Sequence, residues 1–344
     1  MNLSGTRVFV GLSGGVDSAV TAALLKDAEA EVVGVFIKGW YPPGMPCTWA
    51  ADRRDAMRVA AALNIPFHTL DASAEYRRSV IEYLLAEYRA GRTPNPDIMC
   101  NREVKFGAFY RFARERGADL IATGHYAQVV EGKLFRGSDE AKDQSYFLWA
   151  VPSETLMHTV FPLGAQTKGD TRSLARRHRL PVATKKDSQG ICFLGSISVE
   201  DFLRSEFGEE PGEARDAKGR VIGRHNGALL HTIGERLSLT GAVPGPWYVV
   251  GKDIETNVLI VSRTSMVVRS DPRLRLTETN WLAEPGASET LTAQYRYHGP
   301  EVRGTLAADR TYFTPADPLP EAIAPGQSLV VYRGNQCIGG GIIG

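Results

Sequence analysis

The chain has 344 residues, 43% of them apolar, a length beyond what one hydrophobic core serves, so two or three domains are expected. With 40 Lys and Arg against 39 Asp and Glu the net charge is +1, which excludes binding of a polyanion by bulk charge and makes any nucleic-acid surface a local one. Four cysteines, Cys47, Cys100, Cys192 and Cys337, stand far apart, which excludes a dense disulfide framework and a closely spaced zinc site.

The first apolar run, Val8-Phe9-Val10, is too short for a signal peptide or a membrane span and meets glycines and Asp17 at once. A cytoplasmic protein without membrane association is expected, its cysteines thiols by default. Gly11-Leu12-Ser13-Gly14-Gly15-Val16-Asp17-Ser18 then joins this strand to a helical stretch at 19–25. Two glycines let backbone N–H groups approach an anion, and the following helix aims its positive end at the same place. The stretch reads as a phosphate cradle, with Ser13 and Ser18 as added donors. It differs from the commoner nucleoside-triphosphate loop in its glycine spacing and in having no Lys before the final Ser. A capped strand-to-helix turn is the plain alternative.

Residues 32–37 read as a second strand, 52–63 as a helix, 67–70 as a third strand, 75–88 and 103–116 as helices, and 120–123 as a strand closing on Gly124-His125. Such alternation, from Arg7 to about Asp187, predicts an α/β unit: a doubly wound parallel sheet covered by helices. Ligands in that architecture sit outside the carboxyl ends of the strands, where Gly11 to Ser18, Ile37 and Gly124-His125 fall. One crevice is therefore predicted.

Within this unit, Arg92-Thr93-Pro94-Asn95-Pro96-Asp97-Ile98-Met99-Cys100-Asn101 is a proline-stiffened loop leading into a helix expected to begin near Arg102. A thiol near a helix N-terminus gains thiolate character, which marks Cys100 as reactive. Asp97 is a candidate general acid or base, or a hydrogen-bonded turn residue. Farther on, Arg172, Arg176, Arg177, His178, Arg179, Lys185 and Lys186 form either a local nucleic-acid surface or a solvated helix face. Lys185, Lys186 and Gly190 give Cys192 a basic, flexible setting, whereas Cys47 and Cys337 read as small buried apolar residues.

After about Phe207 glycine and proline become more frequent and helical periodicity ends. Residues 221–222, 228–233, 247–250 and 258–262 read as strands of one small β-rich unit, and 274–276, 290–297, 303–306 and 328–332 as strands of another. The expected domains are 1–205, 206–268 and 269–344. Two β modules on a nucleotide-binding core suit a partner larger than a metabolite.

Ser13-Gly14-Gly15-Val16-Asp17-Ser18 resembles the pyrophosphate-binding loop of the ATP pyrophosphatase superfamily. That resemblance implies an adenine nucleotide alpha hydrolase-like fold and cleavage of ATP between its α and β phosphates. Longer motifs extend it: Gly91 to Asp97 running through Cys100-Asn101 to Lys105-Phe106-Gly107, Ala122-Thr123-Gly124-His125-Tyr126, Lys142-Asp143-Gln144-Ser145-Tyr146-Phe147-Leu148, Phe161-Pro162-Leu163-Gly164 and Asp187-Ser188-Gln189-Gly190-Ile191-Cys192-Phe193. With Thr232-Ile233-Gly234 and Trp247 to Lys252, the chain resembles the bacterial tRNA-specific 2-thiouridylases almost end to end. It departs from that pattern at Gly39 to Gly44, which lack an acidic cluster, at Ile37 in place of Met, at Glu235 in place of Gln, and over Leu237 to Thr240.

The resemblance implies that Gly11, Leu12, Ser13, Gly14, Gly15, Val16, Asp17, Ser18, Ile37 and Gly124 hold ATP, with no resident metal; a Mg²⁺ ion would ride on its phosphates, and Asp17 is the local carboxylate placed to orient it, or else only a helix-terminal capping residue. Asn95, Pro96 and Asp97 would hold the target base, and His125, Lys142, Asp143, Gln144, Arg296, Tyr297 and Gln327 would touch tRNA bearing a wobble uridine. Cys192 would carry a persulfide received from a sulfur-donor protein, a sulfur-relay carrier or cysteine desulfurase. Cys100 would assist, either breaking the S–S bond after persulfide attack or freeing hydrogensulfide first, and both routes end in a Cys100–Cys192 disulfide. Asp97 would serve as general acid or base. Two other enzymatic readings stay open: a small-molecule adenylating ligase of the same superfamily, and thiolation through an iron–sulfur centre held by Asp97, Cys100 and Cys192. A nucleotide-binding regulatory module leaves the reactive groups of the crevice without a task.

Overall fold

The computed structural model describes residues 2–42, 48–186, 198–241, 244–265, 271–286, 289–319 and 321–344. In chain order its first strands are β1 (Arg7–Gly11), β2 (Glu31–Lys38), β3 (Phe67–Asp71), β4 (Leu120–Ala122), the hairpin β5 (Ala127–Val130) and β6 (Lys133–Arg136), and β7 (Thr159–Val160). Five of them form a sheet in the order β3-β2-β1-β4-β7, every pair parallel. Their apolar runs are continuous because both faces are buried. Phe9, Val33, Val35, Ile37 and Ile121 enter one core, while Val8, Val10, Val32, Phe36 and Ala122 enter the other.

Helices Val16–Asp27, Trp49–Leu63 and Lys168–Arg177 cover the second face through Ala19, Val59 and Ala175. The first face is covered by Tyr76, Leu84, Phe106 and Phe109, all at or below 1% exposure. Each large apolar side chain buried so completely contributes about 1.5–3 kcal/mol. Strand order reverses between β1 and β4, and in open parallel sheets ligands sit outside the carboxyl ends of the strands at such a reversal.

The hairpin β5–β6 departs from the alternation expected over the first unit. Phe135 and Leu134 of β6 pair with Gln336 and Cys337 near the far end of the chain, so the hairpin extends a sheet built by the C-terminal unit. That unit comprises β13 (Leu274–Trp281), β14 (Leu291–Gln294), β15 (Glu301–Leu306), β16 (Tyr312–Pro315), β17 (Ser328–Arg333) and β18 (Gln336–Ile343). Pairing of β13 with β18 closes the order β13-β16-β15-β14-β17-β18 into a six-stranded barrel, which leaves no sheet edge within the ring.

Between the two lies a five-stranded sheet, β10-β11-β12-β8-β9, made of β8 (Gly212–Arg215), β9 (Val221–His225), β10 (Arg236–Leu237), β11 (Trp247–Asp253) and β12 (Val258–Ser262). Residues 228–233, expected as a strand, instead hold the 3₁₀ turn Ala228–Leu230, which seats Leu230 in the core of the first unit. Among the described residues no helix is long and apolar enough to cross a membrane.

Candidate functional site

The phosphate-type loop sits at the strand reversal. β1 ends at Gly11, Leu12 N–H is taken by Val35 O at 2.8 Å, and the helix Val16–Asp27 starts after Gly15 with no side chain capping it. Its first N–H groups thus point outward for an external acceptor. Gly14 has φ +77°, and a Cβ there would fall 2.3 Å from Asp52 O, so only glycine fits. From the β4 side, a Cβ on Gly124 would fall 2.9 Å from Ser18 N. A Cβ on Gly11 would lie 3.8 Å from Ile37 Cδ1 and 3.7 Å from Phe109 Cε1. Gly11 to Ser18, Ile37 and Gly124 are therefore brought together at one strand reversal.

Serine hydroxyls hold the loop's shape. Ser13 N–H donates to Ser18 Oγ at 3.2 Å, Ser18 Oγ donates to Gly15 O at 3.1 Å, and Gly15 N–H donates to Ser13 Oγ at 3.3 Å. Among the described residues two ammonium groups flank it. Lys185 Nζ donates to Gly14 O at 3.1 Å and to Asp52 and Asp55 at 2.8 Å each. Burial works against its charge, but the two carboxylates outweigh burial and hold it above its ordinary range. Lys168 Nζ lies 2.7 and 2.9 Å from the two oxygens of Asp17, and Tyr126 OH donates to Asp17 Oδ1 at 3.0 Å.

Asp17, expected to orient a Mg²⁺ ion carried on the phosphates, has both carboxylate oxygens bonded to the Lys168 ammonium in this structure. Part of the basic run is likewise internal: Arg172 Nη1 donates to Ala183 O and Lys185 O, His178 faces Asp27 at 3.2 Å, and Lys185 serves the loop.

The proline loop shows a second difference from expectation. Its helix begins at Pro96, not near Arg102: Asn95 is the N-cap, its Oδ1 accepting from Asp97 N–H at 3.1 Å, and Pro96 takes the first helical position. Cys100 therefore lies one turn inside a helix, beyond the end where the dipole acts most strongly. From Cys100–Ala108 that helix widens to i→i+5 hydrogen bonding, a geometry concentrated at functional sites. Cys100 is wholly buried beside Ile98, Met99 and Val104, while Asp97 is half-buried. Thr93 Oγ1 and Asn101 Oδ1, on either side, are buried without a hydrogen-bond partner.

The barrel clamps this loop. Thr93 N–H donates to Pro325 O at 2.7 Å, and Gln327 Nε2 donates to Thr93 O at 2.6 Å. Gly326, with φ +92°, permits the approach, since a Cβ there would fall 2.9 Å from Thr93 N. Asn280 Nδ2 donates to Trp149 O and Val151 O, and Tyr146 OH to Ser328 O, which fixes the barrel on the first unit.

His125 and Asp143, expected to touch tRNA, are each 8% exposed. His125 lies between Phe106 and Phe161, at 5.7 and 5.8 Å, with Nδ1 2.6 Å from Thr123 Oγ1. Burial, then the charge of Lys105, holds it well below the ordinary imidazole range, so the ring is neutral. Asp143 accepts from Gly137 N–H, Ser145 N–H and Ser145 Oγ, which closes a buried turn.

The remaining residues of that set lie nearer the surface. Gln144 Oε1 accepts from Tyr126 N–H, Arg296 is exposed and meets Glu321 at 3.0 Å, and Tyr297 lies 4.4 Å from Phe147. Lys142 is half-buried. Cys47 and Cys192 lie outside the described residues. Lys168 and Tyr126 were not singled out by sequence reasoning, because no local pattern links Lys168 to Asp17 across 151 positions.

Three family models match the chain in order: a tRNA methyl transferase HUP domain over residues 6–196, a tRNA methyl transferase PRC-barrel domain over 200–263, and an aminomethyltransferase beta-barrel domain over 272–343. A tRNA-specific 2-thiouridylase MnmA of Pseudomonas putida (strain W619) is 44% identical, covering 98% of this chain and 94% of that protein. Its counterpart from Streptococcus thermophilus (strain CNRZ 1066) is 43% identical, covering 99% of this chain and 95% of that protein.

Proposed function

The chain belongs to the tRNA-specific 2-thiouridylase family, and from that premise we propose that it places sulfur on C2 of the wobble uridine by first adenylating the C2 oxygen. It is an ATP-dependent tRNA-uridine 2-sulfurtransferase. The family models' descriptions speak of methyl transfer, but relatives matching nearly the whole chain are named for thiolation, which a phosphate-type loop and a cysteine-bearing helix suit better.

Uracil C2 is an amide-like carbonyl carbon whose oxygen leaves too poorly for direct exchange with sulfur. In the proposed sequence that oxygen attacks the α-phosphorus of ATP, the α–β bond breaks, and diphosphate departs into the loop of Gly11 to Ser18. Outward N–H groups at the helix end stabilise its charge. The terminal sulfur of a persulfide on Cys192 then adds to C2, and the C2–O bond breaks with AMP as leaving group. Cys100 thiolate attacks Cys192 sulfur, the electron pair passes to the sulfur on C2, and a Cys100–Cys192 disulfide remains for a reductant to open. Release of hydrogensulfide by Cys100 before attack on C2 gives the same products. Asp97 moves the protons, and a carrier protein or cysteine desulfurase supplies the sulfur in a reducing cytoplasm.

One observation carries this reading. Phe106, on the helix of Cys100, packs on His125, and the adjoining Gly124 abuts Ser18 of the loop. Adenylation and thiol chemistry thereby have neighbouring supports. Incubation with ATP, a sulfane-sulfur source (a cysteine desulfurase with cysteine), a thiol reductant and unmodified tRNA, followed by nucleoside analysis, tests it: 2-thiouridine and AMP are expected in equal amounts, and AMP without thiouridine removes the sulfur step.

A further inference from the structure

We infer that Lys168 is a diphosphate-binding residue, whose ammonium, bonded to Asp17 here, is the cation that meets the charge of the departing diphosphate. The inference rests on the phosphate reading of the Gly11 to Ser18 loop and deepens it. Asp17 lies in the first turn of the helix whose N–H groups face that site, and a bare carboxylate there would repel a polyanion. Lys168 cancels it, with both Asp17 oxygens within 2.9 Å and side chains only 18% and 33% exposed. Tyr126 OH, 3.0 Å from both Asp17 Oδ1 and Thr171 Oγ1, gives the carboxylate a second contact that remains when the ammonium turns toward an anion.

The backbone of Lys168 is itself fixed. Its N–H donates to Asp139 Oδ2 at 2.9 Å, and it opens a helix capped reciprocally by Thr167 and Asp170. From that anchor a four-carbon stem reaches the loop with a compact, rotatable charge. Lys185, the other flanking ammonium, is committed to Asp52, Asp55 and Gly14 O.

Calorimetric titration of the full chain with inorganic pyrophosphate, in EDTA and in excess Mg²⁺, tests this. Lys168→Met is expected to weaken binding in EDTA by about tenfold or more, the size of one lost charge-assisted contact. Mg²⁺ should recover part of that loss, since Asp17 is then available to a cation, and Lys168→Arg should bind within about threefold of the unaltered chain. Asp17→Asn, which releases the ammonium, should bind pyrophosphate more tightly in EDTA. A merely structural Lys168 would lower thermal stability without this dependence on Mg²⁺. Equal affinities for Lys168→Met and the unaltered chain in both buffers would overturn the inference, as would weaker or unchanged binding by Asp17→Asn. No binding by the unaltered chain overturns it together with the loop's assignment, whereas lack of 2-thiouridine with these affinities intact touches only the thiolation reading.

Discussion

Gln327 donates its side-chain N–H to the main-chain oxygen of Thr93 at 2.6 Å, across 234 positions of sequence. The C-terminal barrel therefore sets the position of the loop that opens the Cys100 helix. Because Thr93 N–H is also taken by Pro325 O, the loop cannot move without giving up two hydrogen bonds to the barrel.

Removing the clamp should separate the two halves of the reaction. Gln327→Ala is expected to cost about 1 kcal/mol of stability, the usual net worth of one such bond. Nucleotide affinity should be unchanged, since the phosphate-type loop is held by other contacts, while the rate of thiolation falls. Calorimetry with a nucleotide and single-turnover thiolation check this, and equal losses in both would contradict it.

Two neighbouring glycines should respond very differently. Gly14→Ala forces a methyl to 2.3 Å from Asp52 O at φ +77°, whereas Gly15→Ala meets only the hydroxyl of Ser13 at 3.3 Å with an ordinary φ. Gly14→Ala is expected to lose about 2 kcal/mol or more and to lose nucleotide binding, with Gly15→Ala within about 1 kcal/mol of the unaltered chain. Urea denaturation and nucleotide titration of the two variants make the comparison.

The cysteines should divide by chemistry. Burial pushes the Cys337 thiol up to about 12, so it stays protonated and unreactive in the barrel. Cys337→Ala is expected to leave the thiolation rate unchanged apart from a stability loss of about 1 kcal/mol, while Cys100→Ser abolishes thiouridine and keeps nucleotide binding. Product analysis and titration decide both.

Burial pushes the Lys252 ammonium down to about 8, with Glu235 pulling the other way. An unfolded lysine titrates near ~10.4, so between these values the unfolded state binds more protons and stability rises with pH. Below about 8 both states are protonated and the penalty is felt in full. Lys252→Met should flatten that rise by an amount on the order of 1–3 kcal/mol, measured by urea unfolding across the window; parallel profiles would contradict it.

The parallel sheet was legible because strands buried on both faces leave unbroken apolar runs such as Val8-Phe9-Val10. The phosphate-type loop was legible because its glycines answer to local sterics, seen at Gly14 and Gly124. What escaped was set by distant partners. The β5–β6 hairpin belongs to the barrel only because Gln336 and Cys337 pair with it. The enclosure of His125 by Phe106 and Phe161 likewise depends on residues 19 and 36 positions away in sequence. The helix start at Pro96 was hidden by reading the two prolines as loop, although Asn95-Pro96 is a sound N-cap and first-turn pair.

Following the C2 oxygen tests the chemistry most directly. A tRNA whose wobble uridine carries a heavy oxygen isotope at C2 would be thiolated with ATP and a sulfide source, and the released AMP analysed by mass. One labelled oxygen in AMP for each 2-thiouridine formed is expected; label recovered in water or in diphosphate, with AMP unlabelled, would contradict adenylation of the base.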